Sequence, residues 1–157
     1  MKFIMLAIIG GTGFNGIYGF KESGFKRILT PFSKNRVIIE LYSKKSTKLA
    51  VVSRHGKNHH IPPHKINYRA NIWALHAIGV ESIIAINAIG GINSRAEPGT
   101  FIIPDQIIDY SHGRDATFYE ENLDQVTHID FTYPFTEELR QIVKDAFHAS
   151  NKNSNMK

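Results

Sequence analysis

The hydrophobic pattern begins with an almost wholly apolar run over residues 3–9, which stops abruptly at three glycines and one threonine. A strand of this kind is buried on both faces and is typical of a mainly parallel sheet covered by helices. Without Cβ atoms, Gly10, Gly11 and Gly13 let the backbone turn sharply and point N–H groups into a concavity that suits an anion. Thr12 adds a hydroxyl donor there. A tight turn without a ligand explains these residues equally well, and the spacing does not fit a dinucleotide fingerprint.

Two β-rich runs follow, at residues 36–42 and 48–53, with a polar stretch between them that predicts an antiparallel hairpin. The second run ends in Arg54-His55-Gly56. A planar guanidinium fork beside an imidazole, with a glycine that lets a ligand come close, is a second candidate for anion binding. Residues 18–31 show no clean period, so a loop and a short strand are expected there.

Two helices are predicted. Asn67 is a suitable N-cap for a run of apolar residues at helical spacing that ends at Gly79. Thr136 caps a second run, in which apolar positions between residues 139 and 147 form one face. The residues from 150 to 157 are polar and of low complexity, which predicts a disordered tail.

Residues 81–92 repeat the opening arrangement, because an apolar strand again runs into paired glycines. In open α/β sheets, ligands collect beyond the carboxyl ends of the parallel strands. We therefore expect the strand ends at Gly10, Arg54 and Asn87 to converge on one site. Asn87 breaks an otherwise apolar run, and a buried carboxamide that hydrogen-bonds within the fold is the alternative interpretation.

The composition bears on the number of domains, the cellular location and the class of partner. A chain of 157 residues that is 42% hydrophobic and 21% charged predicts one domain, assigned to residues 1–149, ahead of the polar tail. It has no run of eighteen apolar residues and no cleavage site for a secretory signal, so we expect a cytoplasmic protein without membrane contact. The absence of cysteine excludes thiolate chemistry and disulfides. The net charge of +5 is scattered over single residues and pairs, which argues against nucleic acid as a partner.

The eight histidines are the main candidates for chemistry near neutral pH. His59, His60 and His64 lie close together along the chain, but the carboxylates or cysteines that usually complete a metal site are missing nearby. We therefore predict a surface loop and no metal site.

Four motifs in the same order and spacing resemble the nucleoside phosphorylase family over about residues 6–148. They are Ile9-Gly10-Gly11-Thr12-Gly13, Ser53-Arg54-His55-Gly56, Pro62-Pro63-His64 followed by residues 67–75, and Asn87-Ala88-Ile89-Gly90-Gly91. The chain looks most similar to the trimeric methylthioadenosine and methylthioinosine phosphorylases, and its Asn87-Ala88 motif resembles the S-methyl-5'-thioinosine enzymes. The resemblance implies an α/β fold with a mixed, largely parallel central sheet flanked by helices, incomplete at the C-terminus.

By this resemblance, a phosphate ion is held by five residues: Thr12, Arg54, His55, Asn87 and Ala88. It also implies that His64 joins this anion site, and that His128 reaches into the substrate pocket of a neighbouring subunit in a homotrimer. The implied reaction is attack of inorganic phosphate on C1′ of a purine nucleoside, without any other cofactor. The protein then contributes mainly positioning and electrostatic stabilisation.

The family's C-terminal third, which supplies the purine-binding Asp or Asn, has no counterpart in these residues, so no catalytic residue is assigned. If these residues are the complete protein, the missing purine-binding residue argues against catalysis, and a non-catalytic protein that binds phosphate is one alternative. The other is a histidine phosphatase, whose Arg-His-Gly motif also follows a strand and uses the histidine as phosphoryl acceptor. In that class the motif follows the first strand, whereas here it ends the predicted third, and Lys57 replaces an acidic or amide residue.

Overall fold

In the described part of the chain, five strands and two α-helices make up the regular structure. The computed structural model describes residues 5–11, 14 and 16–153. The elements are β1 (Met5–Gly10), β2 (Lys21–Thr30), β3 (Ser33–Lys44), β4 (Thr47–Ser53), α1 (Tyr68–Ala77), β5 (Val80–Ala85) and α2 (Glu137–Asn153), with a 3₁₀ turn at Pro63–Lys65.

The strands form one sheet in the order β2-β3-β4-β1-β5. β1 pairs in parallel with β4 and with β5, whereas the pairs β2–β3 and β3–β4 are antiparallel. The mixed α/β sheet is therefore confirmed, as is the hairpin formed by β3 and β4. Because β1 lies between two parallel neighbours, the carboxyl ends of β4, β1 and β5 meet at one edge of the sheet.

The core lies between this sheet and α1. It is built from the side chains Ala7, Ile9, Ile39, Ala50, Val52, Ala74 and Leu75. Ile39 of β3 and Leu75 of α1 are fully buried, and burial of such a side chain contributes about 1.5–3 kcal/mol. This packing holds the central strands in register behind the edge where their carboxyl ends meet.

Helix α1 begins where its sequence predicts. The Asn67 side chain accepts a hydrogen bond from the Ala70 N–H at 2.9 Å, and its amide donates to the Phe32 carbonyl at 2.6 Å. Past the C-terminal end of the helix, Gly79 has a φ of 86°, which a residue with a Cβ rarely adopts. The N-cap thus ties the helix to the turn between β2 and β3.

Replacing Asn67 by alanine removes both hydrogen bonds and should lower the free energy of unfolding by about 1–2 kcal/mol. The serine variant keeps a capping oxygen and loses only the donor to Phe32, so its loss should be smaller. Urea denaturation of the three proteins measures the difference. Equal stability of Asn67→Ala and the unchanged chain would show that the cap contributes nothing.

The expected loop and short strand over residues 18–31 are a wrong prediction, because β2 occupies ten of these positions. Gly24 has a φ of 130°, and the pairing with β3 shifts register between Glu22 and Gly24. A bulge of this kind interrupts the alternation of inward and outward side chains. That interruption explains why the sequence shows no period of two in this stretch.

The chain divides into two compact units. The first comprises residues 1–89 and 113–120, and the second comprises residues 90–112 and 121–157. In the first unit, Arg69 of α1 holds the segment 113–120 through the Thr117 carbonyl at 3.1 Å and through the carboxylates of Asp115 and Glu120. The hydrogen bond to Glu120 and the nearby Asp115 charge raise the pKa of Arg69 above its usual value.

The second unit contains α2. Arg140 on this helix donates from Nε to the Pro104 carbonyl at 2.8 Å, and the rings of Phe101 and Phe147 lie 5.3 Å apart. The helix ends at Asn153, within the stretch where the sequence predicts a disordered tail. Residues 154–157 of that predicted tail lie outside the described residues, and the tail stays a prediction. Among the described residues, no helix combines the length and the apolar character that crossing a membrane requires.

Candidate functional site

Hydrogen bonds tie the three parallel strands together where they end. The Arg54 N–H donates to the Gly10 carbonyl at 3.1 Å, which continues the pairing of Ser53 with Gly10 beyond the last residue of β4. On the other side, the Ile86 N–H donates to the Ile9 carbonyl at 2.9 Å. The ends of β4 and β5 therefore flank the glycine turn that follows β1, as the apolar runs predicted.

The Arg54 side chain crosses from β4 to the end of β5. Its Nη1 donates to the Ile86 carbonyl at 2.7 Å, across 32 positions of sequence. A guanidinium carries five donors in a fixed plane, so this single bond leaves most of its donors available. The result is a half-buried positive fork, held at the point where the three strand ends meet.

Gly11 makes room for this fork. A Cβ atom built on Gly11 would overlap the guanidinium of Arg54. The glycine is therefore required by close approach of a side chain, in addition to any turn it makes. Thr12, which the sequence predicted as a hydroxyl donor at this place, lies outside the described residues.

His55 is buried, with 8% of its surface exposed. Its Nδ1 lies 2.9 Å from the Ile61 carbonyl, and the Ile61 N–H donates back to the His55 carbonyl at 2.9 Å. The ring of His59 packs against it with a centroid separation of 4.6 Å. These contacts hold the imidazole in one orientation beside the Arg54 backbone.

Asn87 and Ala88 directly follow Ile86, whose carbonyl binds Arg54. Both are exposed, so the alternative of a buried, internally satisfied Asn87 carboxamide is wrong. Their backbone and side-chain groups are open to solvent at the same end of the sheet as Arg54. The structure thus brings Gly11, Arg54 and the segment from Ile86 to Asn87 together, as the sequence predicted for the strand ends.

The structure shows the local setting of two other predicted residues. His64 lies in the exposed 3₁₀ turn, and His128 lies in the second compact unit. His59 and His60 are also exposed, and within the described ranges no three side chains of His, Asp or Glu are arranged to hold a metal ion. The roles of His64 and His128 stay predictions.

Sequence reasoning missed the ion pair next to the Arg54-His55-Gly56 turn. Lys57 Nζ lies 3.4 Å from a carboxylate oxygen of Glu40 on β3, and Glu40 is largely buried. Burial and the Glu40 charge raise the pKa of the neighbouring Tyr42 above its usual value. Because Lys57 is engaged by Glu40, Arg54 is the better cation for an anion at the strand ends. A glutamate seventeen positions before Lys57 gives no local signal of this pairing.

The chain is similar to known proteins along most of its length. The family model described as the phosphorylase superfamily matches residues 5–157. A probable S-methyl-5'-thioinosine phosphorylase of Pseudomonas syringae is 42% identical over 134 residues, which cover 85% of this chain and 54% of that protein. A protein of the same name from Methanocaldococcus jannaschii is 45% identical over 148 residues, covering 94% of this chain and 55% of that protein.

A solved structure shows the same fold. Methylthioadenosine phosphorylase from Schistosoma mansoni in complex with adenine superposes with a TM-score of 0.85 at 38% identity, over 97% of this chain and 55% of that chain. This chain thus spans about half the length of the relatives it matches. Because the family model matches residues 5–157, nearly the whole chain, the chain belongs to the phosphorylase superfamily.

Proposed function

We propose that the three strand ends form the phosphate site of a purine nucleoside phosphorylase. The observation that carries this proposal is the Arg54 guanidinium, bound to the Ile86 carbonyl and packed on Gly11, where β4, β1 and β5 end. A charged planar fork beside open backbone groups suits a tetrahedral oxyanion. The five residues proposed to hold the phosphate are Thr12, Arg54, His55, Asn87 and Ala88.

The proposed reaction cleaves the N-glycosidic bond of 5'-methylthioinosine, or alternatively of 5'-methylthioadenosine. A phosphate oxygen forms a bond to C1′ of the ribose while the bond from C1′ to the purine nitrogen breaks. The electron pair of that bond leaves with the purine base, which takes up a proton, and the other product is 5-methylthioribose 1-phosphate. Arg54 orients the phosphate and balances its charge, so its contribution is positioning and electrostatic stabilisation.

Relatives support the choice of substrate, since their names specify S-methyl-5'-thioinosine and S-methyl-5'-thioadenosine. The same proposal includes a cytoplasmic homotrimer, in which His128 of one subunit reaches the substrate pocket of the next and His64 joins the phosphate site. Light scattering of the purified protein tests the trimer. No purine-binding group is assigned, because the matched relatives extend well beyond the shared residues.

The function is tested by incubating the purified chain with 5'-methylthioinosine or 5'-methylthioadenosine, with and without phosphate, and measuring free purine by chromatography. Calorimetry with phosphate alone measures the anion site separately. We expect phosphate binding, and purine release that depends on phosphate. Phosphate binding without purine release would favour the non-catalytic alternative. That alternative is included because the chain spans about half the length of the relatives it matches. A stable phosphohistidine at His55 would instead indicate the phosphatase chemistry.

A further inference from the structure

Residues 113–120 form a strap that lies on the first compact unit, although the chain on either side of them belongs to the second. Every residue of the strap is exposed. In the described part of the chain, no backbone hydrogen bond joins the strap to the backbone of a strand or a helix. The position of the strap therefore depends on side chains.

Arg69, in the first turn of α1, supplies the polar contacts that hold the strap. Its Nη1 donates to the Thr117 carbonyl at 3.1 Å, and its guanidinium pairs with the carboxylates of Asp115 and Glu120. The Arg69 side chain is only 13% exposed, whereas those of Asp115 and Glu120 are 68% and 44% exposed. One guanidinium, fixed on the first unit, thus holds three points of a segment that is otherwise open to water.

Aromatic rings add to these contacts, but they depend on the same arginine. Phe118 of the strap meets the Phe32 ring edge-on, with the ring centroids 5.3 Å apart, and 43% of Phe118 stays exposed. The Arg69 guanidinium lies over the other partner of this pair, 5.1 Å from the centroid of Phe32. Because a half-exposed ring gains only part of the free energy of burial, Phe118 alone holds the strap weakly.

From these contacts we infer that residues 113–120 are a detachable strap, latched by Arg69, which salt releases while the sheet and α1 stay folded. The hydrophobic core contains no residue of the strap, so the core does not need it. The carboxylates that pair with Arg69 are exposed, and the Debye length falls from about 10 Å at 0.1 M salt to about 3 Å at 1 M. Release uncovers Arg69 and the Phe32 ring, and it involves none of the residues proposed to hold phosphate.

Fluorine NMR of the protein labelled with 4-fluorophenylalanine measures the release. Phe118 reports on the strap, and Phe118→Leu assigns its signal. Between about 0.1 M and about 1 M sodium chloride, the detached fraction should rise by on the order of fivefold, which moves the Phe118 signal toward its position in the urea-unfolded protein. The rings of Phe101 and Phe147, also 5.3 Å apart, are the internal control, and their signals should stay in place. A Phe118 signal that does not respond to salt overturns the inference.

A variant removes the latch directly. Arg69→Met keeps an unbranched side chain beside Phe32 and loses the guanidinium, so Phe118 should show its high-salt signal already at about 0.1 M salt and respond no further. Arg27→Met is the matched control, because Arg27 is another guanidinium over a phenylalanine ring, 4.6 Å from the centroid of Phe25 on β2. It should leave the Phe118 signal and its salt response unchanged.

The same latch can be opened from the strap. Asp115→Asn combined with Glu120→Gln removes both charges at exposed positions and keeps Arg69, so this double variant should release Phe118 as Arg69→Met does. It decides the question if Arg69→Met does not fold. Circular dichroism should show an intact sheet in the double variant. An unchanged Phe118 signal would show that Arg69 is not the latch, and loss of the sheet would show that the strap cannot detach by itself. Either result overturns the inference.

Discussion

Replacing Arg54 by alanine is expected to weaken phosphate binding by on the order of 100-fold, which corresponds to about 2–3 kcal/mol. The guanidinium is the charged group held at the three strand ends, and Lys57 is engaged by Glu40 and does not substitute for it. Calorimetric titration with phosphate measures the loss. The free energy of unfolding should fall by only about 1 kcal/mol, because Ile86 is exposed and water can take the place of the lost donor.

Two variants distinguish this role from a general loss of positive charge. Arg36→Ala removes the same charge from an exposed position on β3 and should leave phosphate affinity within about twofold of the unchanged chain. Arg54→Lys keeps the charge but not the planar fork, so its affinity should fall between those of the other two proteins. If Arg36→Ala and Arg54→Ala weaken binding equally, only the net charge matters and the proposed site is wrong.

Gly11→Ala should lower phosphate affinity by at least about tenfold while changing stability little. The added methyl group overlaps the Arg54 guanidinium, which can move away because it is the flexible end of a long side chain. Its movement breaks the hydrogen bond to the Ile86 carbonyl and takes the positive fork out of the site. Phosphate titration and urea denaturation of the same variant measure the two effects separately.

Gly90→Ala is the matched control, because a Cβ there meets no atom within 4 Å. It should change neither phosphate affinity nor stability appreciably. The double variant Gly11→Ala with Arg54→Ala gives a further check. If Gly11 acts only through Arg54, adding Gly11→Ala to Arg54→Ala should not weaken phosphate binding further. Fully additive losses would show that Gly11 serves the anion by another route.

The parts of the fold that the sequence predicted are those with a local cause. The apolar run before Gly10 predicted a central parallel strand because burial on both faces removes every polar position from it. Asn67 predicted the start of α1 because a capping side chain acts within three residues. The predicted convergence of the strand ends at Gly10, Arg54 and Asn87 followed from a general property of parallel sheets.

The remaining features depend on contacts that leave no local pattern. The bulge at Gly24 hid β2, because it interrupts the alternation of side chains from which a strand is predicted. The sequence placed the end of α2 before the polar residues at 150–153, because they carry no apolar period that predicts a helix. The bond from Arg54 to Ile86 uses a backbone carbonyl, which every residue possesses, so no residue type marks it. For the same reason, sequence reasoning named His55 but could not place its Nδ1 against the Ile61 carbonyl.

The most direct test of a single oxyanion held between the three strand ends is a phosphate titration of the ¹⁵N-labelled protein, followed by amide chemical shifts. We predict saturable shifts confined to the amides near Gly11, Arg54, His55, Asn87 and Ala88, with one common dissociation constant. Shifts that are absent, or that spread over the scattered basic residues of β2 and β3 without saturating, would contradict the account.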